Sequence, residues 1–573
     1  MRSNAVGIVR KGKASVSLFP VEAKEVLSPK IFFVLAAVFV VGVFALYSPA
    51  LNFQFILDDH RFVGDPRIQS AGHLWEYFTN YVWAQIPGAP ASFYRPLFIV
   101  WVRLNFIFSG MSPWGWHFLS VAKHLAAAIL LGVLAWKLLK NRTVALIAGT
   151  LFVLHPAQTE SVAWATVPDP LTASAILGTI LFYLVYVDQR FAFKPSRNPR
   201  KKIRDTSASD SIKWLIAAAA TCLVALFTKE TAIILPVLLF AFIFVFLPNA
   251  GKKLEAIGLS ARLLSAVRES IPFIGVTVIY LLLRLYALGG TLGGITQHLA
   301  WKTIVLSWPA TLWFYVKVLF WPVQSRAFAN PDLVKTFSFR EVVLPLLGVC
   351  CAAAILTAGF VWAWRKASDS LLTSETKRLH QGLVLGALLF LLPFPLTLNL
   401  NALEPGDFLH GRYMYLSLCG LMLLLATWWH LAGKAQMPLL GALACIAIAF
   451  SILTVKQEGM WKDDLTVFTT AHELAPNNAP IAQDLARAHV QVALGLADED
   501  RCDEAIPIFN QATEQYPQDW FAWAGRGECL FKLNDLQGSE QSLHHAYELS
   551  KEPRIREEWQ MVRQKMGDTT LVR

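Results

Sequence analysis

The sequence predicts an all-α, polytopic membrane protein of about eleven transmembrane helices, followed by a C-terminal α-helical repeat domain. Three observations carry that expectation. Of 573 residues, 55% are hydrophobic and only 16% charged, against roughly a quarter charged in soluble domains. Apolar stretches approaching the ~20 residues of a spanning helix recur up to residue 455. After Leu453 the composition turns charged and amphipathic, and the chain begins to repeat itself.

Residues 1–30 form a basic tail with Arg2, Arg10, Lys11, Lys13, Lys24 and Lys30. A first span follows near 31–47, closed by Pro49. No small-residue cleavage site follows it, so it reads as a retained helix and not a removed signal. Ten more spans are expected near 115–136, 143–156, 170–187, 212–228, 231–247, 271–288, 342–364, 379–397, 411–429 and 438–455. The net charge of +11 does not call for nucleic acid, because it collects in short loops where basic residues set topology. Besides the tail, these are Lys137, Lys140 and Arg142; the 188–213 loop with Arg190, Lys194, Arg197, Arg200, Lys201, Lys202, Arg204 and Lys213; Lys252, Lys253, Arg262 and Arg268; and Arg365, Lys366, Lys377 and Arg378. Placing all five in the cytoplasm puts the N-terminus inside, the C-terminus outside and the 48–114 loop outside.

The stretch 302–321 is ambiguous. Trp308-Pro309, Trp321-Pro322 and Lys317 make it a poor span, and a crossing there would turn the Arg365–Arg378 loop outward. Residues 289–341 are therefore expected to be an outer excursion with an interfacial or re-entrant helix. Five of the seven cysteines border or lie in apolar helices, where Cys acts as a small hydrophobe. An outer location would permit a Cys502–Cys529 bridge, but two buried thiols are the expectation.

In the tail, 456–573, Ala505, Phe509 and Ala512 recur 34 residues later as Ser539, Leu543 and Ala546. Trp523, Gly527 and Leu530 fit a first helix, and Pro517 closes a unit. This is the tetratricopeptide pattern, in which small residues let paired helices approach and large ones fill the gap. A preceding half-unit of Phe468, Ala471 and Pro476 fits with about seven extra residues before Cys502. Such repeats read either as a docking platform for proteins or as a cap on the membrane domain.

The outer face collects polar residues. Asp58-Asp59 sits in the first loop, Arg95 before a helix-starting Pro96, His155 and Glu160 after the third span, and Asp169 before the fourth. Lys229-Glu230 lies between two apolar runs, and Glu404, Asp407, His410, Arg412, Tyr413 and Tyr415 flank the tenth span. Each has a plain explanation: a capping turn for the acidic pair, snorkelling for Lys229, aromatic-belt anchoring for Arg412 and its tyrosines, a helix end for His155. Their coincidence on one face points to a shared cavity, since charges at membrane depth are costly unless paired or hydrated. Cations there suit a phosphate leaving group, and a carboxylate suits the proton of an acceptor hydroxyl. That chemistry is sugar transfer from a lipid phosphate.

In order, Asp58-Asp59, Tyr94-Arg95-Pro96-Leu97, His155-Pro156 through Glu160 to Trp164, Lys229-Glu230-Thr231-Ala232 with Pro236, and Arg412-Tyr413-Met414-Tyr415-Leu416 resemble the transmembrane-and-TPR O-mannosyltransferases, the TMTC family. That family sits within the GT-C class of lipid-phosphate-sugar-dependent glycosyltransferases. The resemblance implies an eleven-span GT-C fold at 31–455 whose first outer loop is catalytic, with Asp58 or Asp59 as the base. It implies Arg412 and Lys229 on the donor phosphate and Glu160 and Asp169 in the cavity, where the outer-face clusters add Arg95, His155, Glu230 and Tyr413 as candidates. The chain departs from the family twice. Animal members carry more repeats, which points to a bacterial inner-membrane protein with a periplasmic site (an ER membrane with a lumenal site if eukaryotic). Where the family often has an acid directly before the arginine, this chain has Gly411 after His410.

The expected activity is inverting transfer of a sugar such as mannose from a polyprenyl phosphate to Ser or Thr of exported proteins, with the repeats docking the acceptor. The paired carboxylates leave room for a divalent metal, although no His/Cys spacing makes a protein cage. Alternatives are a lipid or polysaccharide acceptor, a ligase or exporter component, and a non-enzymatic scaffold for envelope assembly.

Overall fold

The computed structural model describes residues 27–86, 89, 91–190, 206–246, 258–291, 298–323, 333–368, 373–402 and 409–567. Glu404, Asp407, Lys252, Lys253, the basic residues before Leu27 and the basic loop 191–205 lie outside the described residues. The described chain is helical, with no strand among its elements. Ten helices are long and apolar enough to cross a bilayer. One is Trp301–Phe320, and the other nine coincide with stretches read from the sequence. Pro29–Leu46, Phe339–Ser368 and Gly433–Trp461 bury only 6% of their apolar windows within the protein. Helices hydrophobic all round and uncovered by protein belong in lipid. The chain is an integral membrane protein.

Side-chain contacts sort the helix ends into two layers. The lower layer holds Leu27, whose carbonyl accepts from Arg142, together with the Lys137–Asp188 pair at 2.6 Å, Asn141 beside His430, and Trp364 stacked on His380. The upper layer holds the 47–112 loop, residues 155–168, Lys229, and residues 409–412 and 458–464. Tyr47 donates to Val153 O and Thr454 to Leu154 O, tying three helices together there.

The remaining two apolar stretches fold as the 13-residue helices Arg142–Leu154 and Ile234–Phe246, about 20 Å each. Each still joins the layers, Arg142 reaching Leu27 below and Phe244 O accepting from Arg262 at the foot of Leu259–Ala287. Their shortness has a use. It lets the polar segments 155–168 and 229–233 enter the bundle, where Thr159, Glu160 and Ser161 are fully buried. Irregular backbone at membrane depth is tolerated only when buried in protein or lining a cavity.

Trp301–Phe320 runs as one helix through Pro309, yet it does not join the layers. Leu299 N–H donates to Asn401 Oδ1 at 2.9 Å and Trp308 to Leu398 O at 3.0 Å, both at the upper end of Thr373–Leu391 and its extension. At the other end, Leu319 O accepts from His155 Nε2 and Pro322 O from Gln457, also upper-layer residues. The helix lies along the upper face, as expected of an excursion, and among the described residues eleven helices join the two layers.

Beyond Trp461, the helices Asp464–Leu474, Ala479–Asp498, Cys502–Gln515, Trp520–Lys532, Leu536–Ser550 and Pro553–Lys565 follow one another as packed neighbours. Ala505, Phe509, Ala512, Leu543 and Ala546 are buried, at the positions the period picked out. Gly527 is demanded by closeness: a Cβ there would meet Leu543 Cγ at 2.6 Å, while Ser539 Oγ donates to Gly527 O at 2.7 Å. The extra residues before Cys502 are added helix, since Ala479–Asp498 has 20 residues where Trp520–Lys532 has 13. The expectation of two separate thiols is corrected. Cys502 and Cys529 form a disulfide, their Cα atoms 5.1 Å apart, because facing helices bring together two cysteines that sequence separation keeps distant.

Candidate active site

The acidic pair lies where the first loop passes beneath the C-terminal helices. Leu57 takes φ +52°, a conformation non-glycine residues rarely adopt, and a short helix, Asp58–Val63, follows. The two carboxylates then part. Asp59 is fully buried: its Oδ1 accepts from Thr166 N–H at 3.0 Å and Thr166 Oγ1 at 2.6 Å, and its Oδ2 from Ile56 N–H at 3.3 Å. Burial pushes its carboxyl up to about 6, against the pull of those hydrogen bonds. Asp58 instead lines a cavity of about 950 Å³. Its side chain is 40% exposed, 3.6 Å from Arg61.

Four cations line that cavity: Arg61, beside Asp58, and three from other segments, each held by a carboxylate. Arg95, at the start of Pro96–Ser109, bonds Glu230 through Nε at 2.8 Å. Lys229 Nζ bonds both oxygens of Asp169 at 2.7 and 2.8 Å. Arg412 donates from Nη1 and from its backbone N–H to Glu160 at 3.0 and 3.1 Å. Arg412 also lies over the Trp164 ring at 4.4 Å, and Lys229 over Tyr413 at 5.4 Å, cation–π contacts that fix their heads. Glu160 sits behind Arg412, accepting from His410 Nδ1 at 2.7 Å. Burial opposes its charge, but His410 and Arg412 outweigh this and hold its carboxyl well below the usual range.

The structure therefore brings Asp58, Arg95, Asp169, Lys229, Glu230, Arg412 and Tyr413 to one cavity wall. Glu160 stands behind that wall. Asp59 and His155 lie elsewhere: His155 is 1% exposed, accepting from Ala157 N–H and donating to Leu319 O. Its imidazole packs a helix end and does not line the cavity.

Asp58 and Asp59 do not present two carboxylates to one ion, because both Asp59 oxygens are taken by backbone and Thr166. Among the described residues no group of three or more His, Cys, Asp or Glu side chains could hold a metal. The guanidinium and ammonium groups at the cavity offer donors that a phosphate can accept from.

Sequence reading missed several residues. Lys123 is a cation well inside the apolar Pro113–Leu139 helix, a signal that was available. Its Nζ donates to Ala165 O and Val167 O at 2.8 and 2.7 Å, holding the segment that holds Asp59. Asp464 and the cavity-lining Phe468, Ile481 and Asp484 come from the C-terminal helices. Asp464 gave no signal beyond being next to a helix-capping Asp463.

No family model matches the chain. In sequence it is related to protein O-mannosyl-transferases of the TMTC type. It is 24% identical to human Protein O-mannosyl-transferase TMTC3 over 532 residues, 88% of this chain and 54% of that protein. It is 33% identical to Protein O-mannosyl-transferase Tmtc1 of Drosophila melanogaster over 196 residues, 33% of this chain and 20% of that one. The chain thus spans about half the length of the human relative and a fifth of the fly one. Among solved structures, ArnT from Cupriavidus metallidurans in the apo state overlaps it at 15% identity and a TM-score of 0.40, over 90% of this chain and 77% of that one.

Proposed function

We propose that this chain is a membrane glycosyltransferase that moves one sugar, mannose in the leading reading, from a polyprenyl phosphate to Ser or Thr hydroxyls of exported proteins. One observation carries it: a single cavity unites a reachable carboxylate, Asp58, with four cations, the adjacent Arg61 and the carboxylate-held Arg95, Lys229 and Arg412. The relatives' name, protein O-mannosyl-transferase, supports the sugar and the acceptor class.

In this reading Asp58 accepts the proton of the acceptor hydroxyl. The hydroxyl oxygen bonds to the anomeric carbon from the face opposite the phosphate, and the bond from that carbon to the phosphate oxygen breaks. The configuration inverts, and the leaving phosphate keeps the electron pair. Arg95, Lys229 and Arg412 stabilise its charge, an electrostatic role that gains strength in a water-poor site. Their carboxylate partners fix them in place beforehand, so little reorganisation is needed at the moment of transfer.

The active face points away from the cytoplasm in this reading. Lys137, Lys140, Arg142 and Arg190 gather at the opposite layer, as the positive-inside rule requires. The Cys502–Cys529 disulfide suits an oxidising compartment on the active side.

The test is a glycoproteomic comparison of exported proteins from cells with the gene, without it, and with Asp58→Asn. A hexose present on a defined set of Ser/Thr sites only with the wild-type gene is the expected result. An unchanged set of modifications refutes the protein acceptor, and loss of hexose from a lipid or glycan fraction would reassign it.

A further inference from the structure

The C-terminal helical domain is bonded to the loop that carries Asp58. Asp464, the first residue of Asp464–Leu474, accepts the Leu57 N–H on Oδ1 at 2.9 Å and His60 Nε2–H on Oδ2 at 3.0 Å. Those two partners bracket Asp58. Leu57 is also the residue with φ +52°, in a sparsely populated backbone region that persists only when its surroundings hold it. Two more bonds from loop amides run alongside: Ala50 N–H to the Glu458 side chain Oε1 at 2.8 Å and Gln54 N–H to the Lys462 backbone O at 2.9 Å.

The domain's attachment does not depend on Asp464. Phe53 and Ile56 of the loop, Trp164 and Val167 of the next, and Trp461 and Val467 of the C-terminal region share one buried apolar cluster. Apolar burial of this kind, at ~25 cal/mol per Å², is the adhesive. The carboxylate of Asp464 adds direction, because it engages an amide and an imidazole on either side of the Asp58-Asp59 pair. Phe468 and Ile481 of the same domain line the same cavity as Asp58 and Arg61.

We propose that Asp464 is a positioning residue for the transfer reaction: it locks the Leu57–His60 turn so that the Asp58 carboxylate faces the cavity, making the C-terminal domain a part of the active site and not only a platform beside it. The proposal rests on Asp58 being the general base. Misplacing a catalytic group by an ångström costs turnover on the order of a hundredfold, while the donor's cations come from segments that Asp464 does not touch.

The full-length protein is tested in detergent with a polyprenyl-phosphate sugar and a Ser/Thr peptide. Asp464→Ala is expected to lower kcat at least tenfold, to leave the KM for the donor within twofold, and to leave the melting temperature and the protease pattern of the C-terminal region unchanged. Asp464→Asn keeps an acceptor oxygen for Leu57 N–H and is expected to restore kcat to within threefold. Hydrogen exchange of residues 55–62 is measured on the same proteins and should rise in Asp464→Ala alone. An Asp464→Ala protein with wild-type kcat and wild-type exchange overturns the proposal, and so does one that loses activity only because its C-terminal region is released. If the wild-type protein transfers no sugar to any acceptor, the functional reading fails. The exchange result then decides by itself whether Asp464 holds the turn, with unchanged protection overturning it.

Discussion

Asp59 Oδ1 accepts two hydrogen bonds from Thr166, one from its backbone N–H at 3.0 Å and one from its hydroxyl at 2.6 Å, while its neighbour Asp58 faces the cavity. Adjacent acids thus do different work, and substitution separates them. Asp58→Asn removes the proposed proton acceptor and is expected to lower kcat by about 10²–10⁴, the usual contribution of a general base, with an unchanged melting curve. Asp59→Asn keeps one oxygen for Thr166 but turns an amide N–H₂ toward the Ile56 N–H donor. It should lower stability and disorder the turn. Single-turnover assays beside thermal melts distinguish the two, and full turnover in Asp58→Asn would remove it from the mechanism.

The pH dependence of Asp59 follows from its burial. Its carboxyl is raised to about 6 from an unfolded value near 3.9, so the folded state binds the proton more tightly. The associated stability is complete below about pH 4 and is lost as pH rises through 6. Melting temperatures between pH 4 and 7 should fall over that window, and Asp59→Asn should flatten the slope. A slope unchanged in the variant would assign it to another group.

Glu160 runs in the opposite sense. With its carboxyl held low by His410 and Arg412 against the opposing effect of burial, its stabilisation is present above the unfolded value of about 4.3 and lost as pH falls below it. Glu160→Gln should abolish that acid limb. It should also destabilise at neutral pH by about 3–5 kcal/mol, the cost of breaking a buried pair by removing one partner. A thermal scan from pH 3 to 7 reads both effects, and an acid limb that survives in Glu160→Gln would count against the assignment.

Much of this was legible in the sequence, and the remainder was hidden for identifiable reasons. Among the described residues, nine of the eleven layer-joining helices could be read because lipid demands long apolar helices and two as shorter apolar runs, and Pro309 with its tryptophans marked the helix that lies along the face. Lys229, Arg95 and Arg412 were recognisable as charges at membrane depth, but their pairing with Asp169, Glu230 and Glu160 spans 60 to 252 residues of sequence, beyond any local pattern. Asp58 and Asp59 looked equivalent because adjacent positions share a motif while their side chains diverge. His155 was grouped with the cavity because a His at a helix end offers the same signal whether its ring nitrogens serve backbone or substrate. The disulfide depended on a 5.1 Å Cα separation that composition does not encode.

The Lys229–Asp169 pair separates structural from functional roles of a cation. Both side chains are buried, at 5% and 10% exposure, so Lys229→Met strands an unpaired carboxylate and should cost about 3–5 kcal/mol. Adding Asp169→Asn removes that stranded charge and should recover most of the melting temperature. Donor binding should not recover, because the ammonium proposed to meet the phosphate is still missing. Titration with a polyprenyl-phosphate sugar is expected to show at least tenfold weaker donor binding in both single and double variants. A double variant with wild-type affinity would make Lys229 a structural residue only.

The disulfide makes a last prediction about the C-terminal helices. Cys502 and Cys529 close a loop across 27 positions, for which the chain-entropy account gives about 3.5 kcal/mol at 25 °C. Cys502→Ser with Cys529→Ser should lower the stability of this region by up to that amount. The membrane helices have no share in the bridge, so their melting should stay in place and the unfolding curve should split in two. Phe468 and Ile481 line the cavity from the helices before Cys502, outside the bridged loop, so activity at low temperature should survive the double substitution. Activity lost in step with reduction, at a temperature where circular dichroism shows the helices intact, would mean that the bridged helices themselves contact the acceptor.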